Sequence, residues 1–418
     1  MSLDLGWIRH QFPGLSHFQR GSPVAFFDGP AGSQVPRSVA EAVSGYLLET
    51  NSQRGGVFEV SRASDAVLNT SHLALAEFLG AGSADEIAFG ANMTTITFAV
   101  SRALARTWSK GDEIVVTRLD HDGNVTPWVL AAQDAGATVK TVEVNVADGT
   151  LDQESFRKAL SPKTKLVAIG LASNITGTIN PVKDMVQAAH GVGALAYLDA
   201  VHYAPHGLID VQALDADFLV CSAYKFFGPH LGVLYGKRSL LEQIEPYKLR
   251  VASNELPGKW MTGTACHEGI AGTFAAVEYL ATLGRRIDPK APSRRSALEL
   301  AFGAIREHEQ SLAKRLLEGL PELPNYRLWG IGDVKRLSER VPTFSLTHSK
   351  LTPSQLANRL AKLGLYAWAG NHYALGFSEA AGLEPHGTLR IGLLHYNTKE
   401  EVDAVLIALR ETDLLAGT

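Results

Sequence analysis

Residues 216–232 read ADFLVCSAYKFFGPHLG. An apolar run over Asp217 to Cys221 stops at Ser222, passes through Ala223, Tyr224 and Lys225, and turns at Gly228 and Pro229. A short run of this kind, bounded by turn residues, reads as a strand buried on both faces, as in a parallel sheet covered by helices. Lysine at its end is costly, because burial disfavours the charged amine. The same burial lowers the pKa and yields a nucleophile able to form a Schiff base. Taken alone, Lys225 also reads as a side chain that snorkels to solvent where the strand ends.

Working outward, further strands are predicted at Glu86 to Phe89, Glu113 to Thr117, Val139 to Val144, Lys165 to Leu171, Leu195 to Asp199 and Gly232 to Tyr235. Between them lie helical patterns such as Ile96, Ala99, Val100, Ala103 and Val182, Met185, Val186, Ala189, spaced for one apolar face. Alternation of this kind is α/β, with a mostly parallel seven-stranded sheet and flanking helices. At Arg285 to Ser293 prolines and charges cluster, and the pattern thins. The predicted division is a large α/β domain over 26–284 and a smaller α+β domain made of 1–25 and 285–418. Helix caps are legible there at Thr352 with Gln355 and at Thr398 with Glu401.

The 418 residues carry 39 Lys and Arg against 43 Asp and Glu, a net charge of −4, and 45% are hydrophobic. Such a chain buries a large core and has no electrostatic reason to seek nucleic acid or an anionic membrane. Cys221 and Cys266 form neither a disulfide framework nor a metal motif. With no signal peptide and no membrane span in the pattern, a cytoplasmic protein is expected.

Asp199, in LAYLDAVHYAPH, closes a second apolar strand and precedes His202 by three residues. Ligands of parallel α/β sheets sit at the carboxyl ends of the strands, so Asp199 and Lys225 should meet in one crevice. Alone, Asp199 reads equally as a helix cap. Together, the pair suits pyridoxal phosphate (PLP): a lysine for its aldehyde and an acid for its pyridine nitrogen. Met93, Thr94 and Thr95 open a helix whose free N–H groups suit a phosphate, and Ser222 offers a hydroxyl. His121, after the strand EIVVT, is placed to lie flat on a ring or, alternatively, to serve Asp120 and Asp122 in a loop. Gly191, Gly193 and Ala196 match a dinucleotide fingerprint but precede a strand, the wrong context. His267 beside Glu268 lacks a third ligand, so no metal site is expected.

Taken in order, FFDGPAGSQVP (26–36), SNITGTINP (173–181), LDAVH (198–202), SAYK (222–225), GTACHEG (263–269) and LRIGLLHYNTKEEVD (389–403) resemble the fold-type I PLP enzymes of aminotransferase class V, and among them the cysteine desulfurase-like proteins. The resemblance implies Lys225 as the Schiff-base lysine, Asp199 at the pyridine nitrogen and His121 against the ring. It puts Asn174 near the ring hydroxyl and His202 where desulfurases have glutamine. Met93, Thr94 and Ser222 would hold the phosphate, with Tyr224 beside it and Thr264 reaching the site of a second protomer, since the family forms homodimers with shared active sites. Arg390 would pair with a substrate α-carboxylate, supported by the amides of Ala31 and Gly32.

Two departures bear on the activity. Desulfurases carry a nucleophilic cysteine on a mobile loop ahead of the arginine; here that stretch reads YAWAGNHYALGF, with Tyr373 at or near the position. A phenol cannot take a sulfur atom as a persulfide. Desulfurases also show histidine where Tyr224 stands. Cys221 reads as core, and Cys266, near Thr264, is a candidate sulfur acceptor. Trp368, Asn371, His372 and Tyr373 should shape the pocket for an amino-acid substrate. The favoured reading is β-elimination on a cysteine-derived amino acid. A class V aminotransferase and a catalytically weak scaffold or sulfur-trafficking protein are the alternatives.

Overall fold

The computed structural model describes residues 3–19 and 21–417. All seven expected strands fall in one sheet, their ends shifted by two residues at most: β1 Ile87–Gly90, β2 Glu113–Thr117, β3 Thr138–Val142, β4 Thr164–Gly170, β5 Leu195–Asp199, β6 Phe218–Ser222 and β7 Gly232–Gly236. The order across the sheet is β1, β7, β6, β5, β4, β2, β3. Every neighbouring pair is parallel except those made by β7, which runs antiparallel to β6 and to β1. The connection from Ala223 to Leu231 explains that reversal, since a parallel return needs a crossover of roughly a dozen residues or more. β3 stops short of the expected Val144 because Val144–Asn145 leaves the sheet to pair with Thr150–Leu151.

Side chains alternate between two buried faces, as a period of two requires. Val115, Val167, Leu198, Leu219 and Val233 enter one apolar layer. Their neighbours Val116, Ala168, Tyr197, Val220 and Leu234 enter the other. This makes each strand a nearly continuous apolar run, which is why the strands were readable without alternation.

A second sheet is antiparallel, in the order β8 (Tyr326–Trp329), β9 (Thr343–His348), β11 (Thr388–Gly392), β10 (Trp368–Gly370). Both expected caps form: Thr352 Oγ1 accepts from the Gln355 N–H at 3.3 Å, and Thr398 Oγ1 from the Glu401 N–H at 3.2 Å. The amino-terminal stretch joins this unit, Ala25–Phe26 pairing with Leu365–Tyr366 and Asp28 bridging to Gly392. Among the described residues no helix is long and apolar enough to cross a membrane.

Helix α1 (Met93–Ala105) begins on the carboxyl end of β1, with Asn92 as its cap, Oδ1 accepting from the Thr95 N–H at 2.9 Å. The helix end presses on Gly232, where a Cβ would come within 2.6 Å of Ile96 Cδ1 and 2.8 Å of the Asn92 carbonyl oxygen. Gly232→Ala is therefore expected to lower stability by about 1–3 kcal/mol in urea unfolding and to weaken binding of a phosphate ligand at the helix end. Unchanged unfolding and phosphate affinity would mean that the helix end can move aside freely.

Candidate active site

A cavity of about 820 Å³ opens where β4, β5 and β6 end, and Trp368 to Tyr373 and Arg390 of the second sheet wall its far side. Lys225 enters it from a single tight turn, Ala223–Lys225, that follows β6. Its Nζ donates to the Ala31 carbonyl at 3.0 Å and to the Pro30 carbonyl, and it stands 5.0 Å over the Tyr224 ring. Burial, helped by the Arg390 charge, pushes the amine down to about 7, with Asp199 and Asp28 opposing. At and above neutral pH much of it is an unprotonated amine.

Asp199 lies at the end of the adjacent strand, Oδ1 accepting from the Val201 N–H at 2.8 Å. Burial raises its carboxyl to about 6, although this N–H and Lys225 favour the ionised form. His121 caps the short turn Asp122–Asn124, its Nδ1 accepting from the Gly123 N–H at 2.9 Å, so the neutral ring carries its proton on Nε2. Burial, with the charges of Lys225 and Arg390, brings it to about 4. Its ring stacks on Tyr373, centroids 5.4 Å apart.

At the start of α1 the Met93 N–H donates to Ser222 Oγ at 3.0 Å, and both residues line the cavity with Thr94. Asn174 donates from Nδ2 to the His372 carbonyl at 2.7 Å and leaves a buried Oδ1 without a partner. Arg390 is buried and donates from Nη1 to the Asn174 carbonyl at 2.8 Å. His202 is buried beside them, Nε2 lying 3.0 Å from Thr343 Oγ1. Tyr224 lines the cavity with its ring stacked on His230.

The 371–373 loop is tightly held. His372 and Tyr373 have φ of +57° and +58°, a left-handed pair that side chains resist. Asp122 donates its N–H to the Tyr373 carbonyl at 2.7 Å, and the Tyr373 N–H donates to Asn371 Oδ1 at 3.1 Å. Asn371 also donates from Nδ2 to Glu384 at 3.0 Å. The Tyr373 ring remains 72% exposed at the cavity mouth.

Ala31 meets this cluster through its carbonyl rather than its N–H, and Gly32, Thr264 and Cys266 do not line the cavity. The amides of Ala31 and Gly32 donate within their own turn to the Asp28 carbonyl, at 2.7 and 3.2 Å, and what Ala31 turns to Lys225 is its carbonyl. Thr264 is exposed and lines a separate cavity of about 380 Å³ together with Cys266. Cys221 is buried in β6, as a core residue should be.

Two further acids belong to the site beyond those marked in the sequence. Asp28 is held near the cavity with a buried Oδ1 that lacks a partner; burial raises it to about 6 against the pull of Arg390 and Lys225. Asp120 is buried under Gly170, bonded by Thr117 and Asn124, and raised to about 7 by burial. An acid closing an apolar strand marked Asp199; the same rule applied to Phe26-Phe27-Asp28 would have marked Asp28.

These groups fit PLP. The cavity has an amine that is half-unprotonated near pH 7, a buried acid one strand away, a helix N-terminus on the flank and an unsatisfied amide oxygen opposite. A model of the aminotransferase class-V family matches residues 25–405. An aminotransferase-like protein of Gibberella zeae is 34% identical, with 98% of each chain covered. A probable cysteine desulfurase of Halalkalibacterium halodurans is 33% identical over 97% of each chain. Among solved structures, the apo cysteine desulfurase of Thermococcus onnurineus superposes with a TM-score of 0.87 at 27% identity, covering 99% of this chain and 98% of the other.

A lysine whose amine is half-protonated near pH 7 should acylate differently from its neighbours. In pulse labelling of the cofactor-free chain with acetic anhydride, read peptide by peptide, modification of Lys225 should rise through about pH 7 and level off by about pH 8–9, while exposed lysines still rise toward their ordinary value of about 10.4. A Lys225 profile that follows the exposed lysines would contradict the desolvation argument.

Proposed function

The chain belongs to the aminotransferase class-V family, as a PLP-dependent enzyme of its cysteine desulfurase-like group, and from that premise we propose that it acts on a cysteine-derived amino acid by β-elimination. The observation that carries the elimination reading is where sulfur is found. Tyr373 stands on the loop at the cavity mouth, while Cys221 is buried in β6 and Cys266 opens into another cavity. Elimination needs no enzyme thiol, because sulfur leaves with the substrate's own side chain.

In this reading Lys225, Asp199 and His121 are the catalytic set. Met93, Thr94, Ser222 and Tyr224 hold the phosphate, Asn174 and His202 face the ring oxygen, and Thr264 completes the phosphate site of a second protomer in a homodimer. When bound, PLP supplies an aldehyde that captures the substrate amine and a pyridine ring that draws electrons from Cα. Arg390 receives the α-carboxylate with the guanidinium N–H groups not spent on Asn174. Asn371 and Tyr373 border the substrate side chain, and Ala31 and Gly32 fix the turn that presents the carbonyls to Lys225. Lys225, with its low proton affinity, takes the proton from Cα. Asp199, buried and near its own pKa, keeps a proton shared at the ring nitrogen. His121, neutral, adds an uncharged face and no competing positive charge. For a cysteine-type substrate, the Cα–H and Cβ–S bonds break, one water is consumed, and the products are a 2-oxo acid, ammonia and a free thiol or sulfide.

Incubating the holoenzyme with S-substituted cysteines should release thiol and 2-oxo acid in equal amounts. Lys225→Ala should reduce the rate at least about 10²-fold, and Cys221→Ser and Cys266→Ser should leave it within about twofold. A 2-oxo acid that keeps its sulfur substituent would make the enzyme an aminotransferase instead, and loss of sulfide formation in Cys266→Ser would restore an enzyme persulfide.

A further inference from the structure

We propose that Thr343 sets the tautomer of His202: its hydroxyl donates to Nε2, leaving the ring's single proton on Nδ1 as the donor offered to the ring oxygen of PLP. The inference rests on the cofactor placement proposed above.

The order of strands fixes which side of the ring needs a donor. Going from β1 to β4, the cavity receives the start of α1 after β1, Lys225 after β6, Asp199 and His202 after β5, and Asn174 after β4. In pyridoxal phosphate the ring nitrogen is para to the aldehyde carbon, and the phosphate arm and the hydroxyl flank that carbon on opposite sides. With the amine of Lys225 at the aldehyde and Asp199 at the nitrogen, a helix N-terminus on the β1 side takes the phosphate. The oxygen then faces the β4 side.

Asn174 is there too, but one N–H of its Nδ2 is committed to the His372 carbonyl, and the buried atom left wholly without a partner is Oδ1, an acceptor. His202 is the other candidate. Its own burial, the neighbouring His206 and the charges of Arg390 and Lys225 keep the ring neutral, so it owns one proton.

Thr343 decides where that proton sits. It is fully buried as the first residue of β9, and among the described residues its hydroxyl has one hydrogen-bond partner, His202 Nε2 at 3.0 Å. Were His202 to donate, the Thr343 O–H would be a buried donor without an acceptor, a cost of about 1–3 kcal/mol. Donation from Thr343 satisfies both atoms. Nδ1, the nitrogen with no partner among the described residues, then carries the hydrogen. A histidine offers a ring N–H in one direction only if something fixes its tautomer, and here that something comes from the second sheet.

The test uses nitrogen-15 NMR of histidine-labelled cofactor-free protein and fluorescence titration with pyridoxal phosphate and with 3-deoxypyridoxal phosphate, which lacks the ring hydroxyl. His202 should be protonated on Nδ1. Thr343→Val should weaken pyridoxal phosphate about 3–10-fold while leaving the 3-deoxy analogue within about twofold, and Thr343→Ser should restore the wild-type pattern. Protonation on Nε2 in the wild type, or equal weakening of both ligands in Thr343→Val, would overturn the assignment; the NMR arm stands even if that variant folds poorly. Borohydride reduction of the wild-type complex reads the placement separately. Label on Lys225 with a failed tautomer or analogue arm defeats this inference alone, whereas label on another lysine defeats the placement and the inference together.

Discussion

Taking a primary amine out of water at the end of β6 is the constraint around which the rest is arranged. Lys225 is left with two carbonyl acceptors, from Pro30 and Ala31, and with Arg390 as an unfavourable neighbour. Carboxylates then gather: Asp199 and Asp28 both favour the charged amine. Each of these pays the same desolvation that the lysine does, so their proton affinities rise to about 6 while the amine falls to about 7. Acid and base have converged near neutrality. A ligand carrying charge into such a cluster moves protons among groups already close to balance, which is the property a site for proton abstraction needs.

That cluster is built across a seam. β5 and β6 of the large sheet supply Asp199 and Lys225, but the carbonyls that hold the amine come from the 28–32 turn, which is bridged to Gly392 and fixed through Asn397 Nδ2 donating to the Phe26 carbonyl at 3.0 Å. Arg390 crosses the seam the other way and ties β11 to the Asn174 loop. Neither sheet alone carries a complete set. Movement of one against the other would change the lysine's acceptors and the arginine's position together.

The large sheet was legible because both its faces are buried: strands such as FLVCS and KLVAIG are uninterrupted apolar runs, and their ends coincide with a change in residue type. The residues at those ends, Lys225 and Asp199, inherit that clarity. Legibility fails where contacts are long-range. Asp28 lies almost two hundred positions from Lys225, and nothing in Phe26-Phe27-Asp28 announces that the turn behind it will cradle an amine. Ala31 and Gly32 were expected to turn N–H groups toward a ligand, yet a tight turn uses those N–H groups itself and exposes a carbonyl. Thr343 could not have been found either, since its meaning depends on the register of β9 against β11 and on which nitrogen of His202 faces it.

The 371–373 loop bears most directly on the proposed elimination. Two successive left-handed side-chain residues cost on the order of 1–3 kcal/mol each, and such strain persists only where surroundings over-determine it. Here Asp122, Asn174 and Asn371 each spend a hydrogen bond on His372 or Tyr373, and the Tyr373 ring rests on His121. A loop that must carry a thiol to substrate and then deliver the sulfur elsewhere has to leave its ground position. A loop pinned at this many points is suited to holding the wall of a pocket still. Strain fixed in place, with a phenol at the tip, therefore argues for sulfur that departs directly from the substrate through the cavity mouth, and this is the geometric side of the case for elimination.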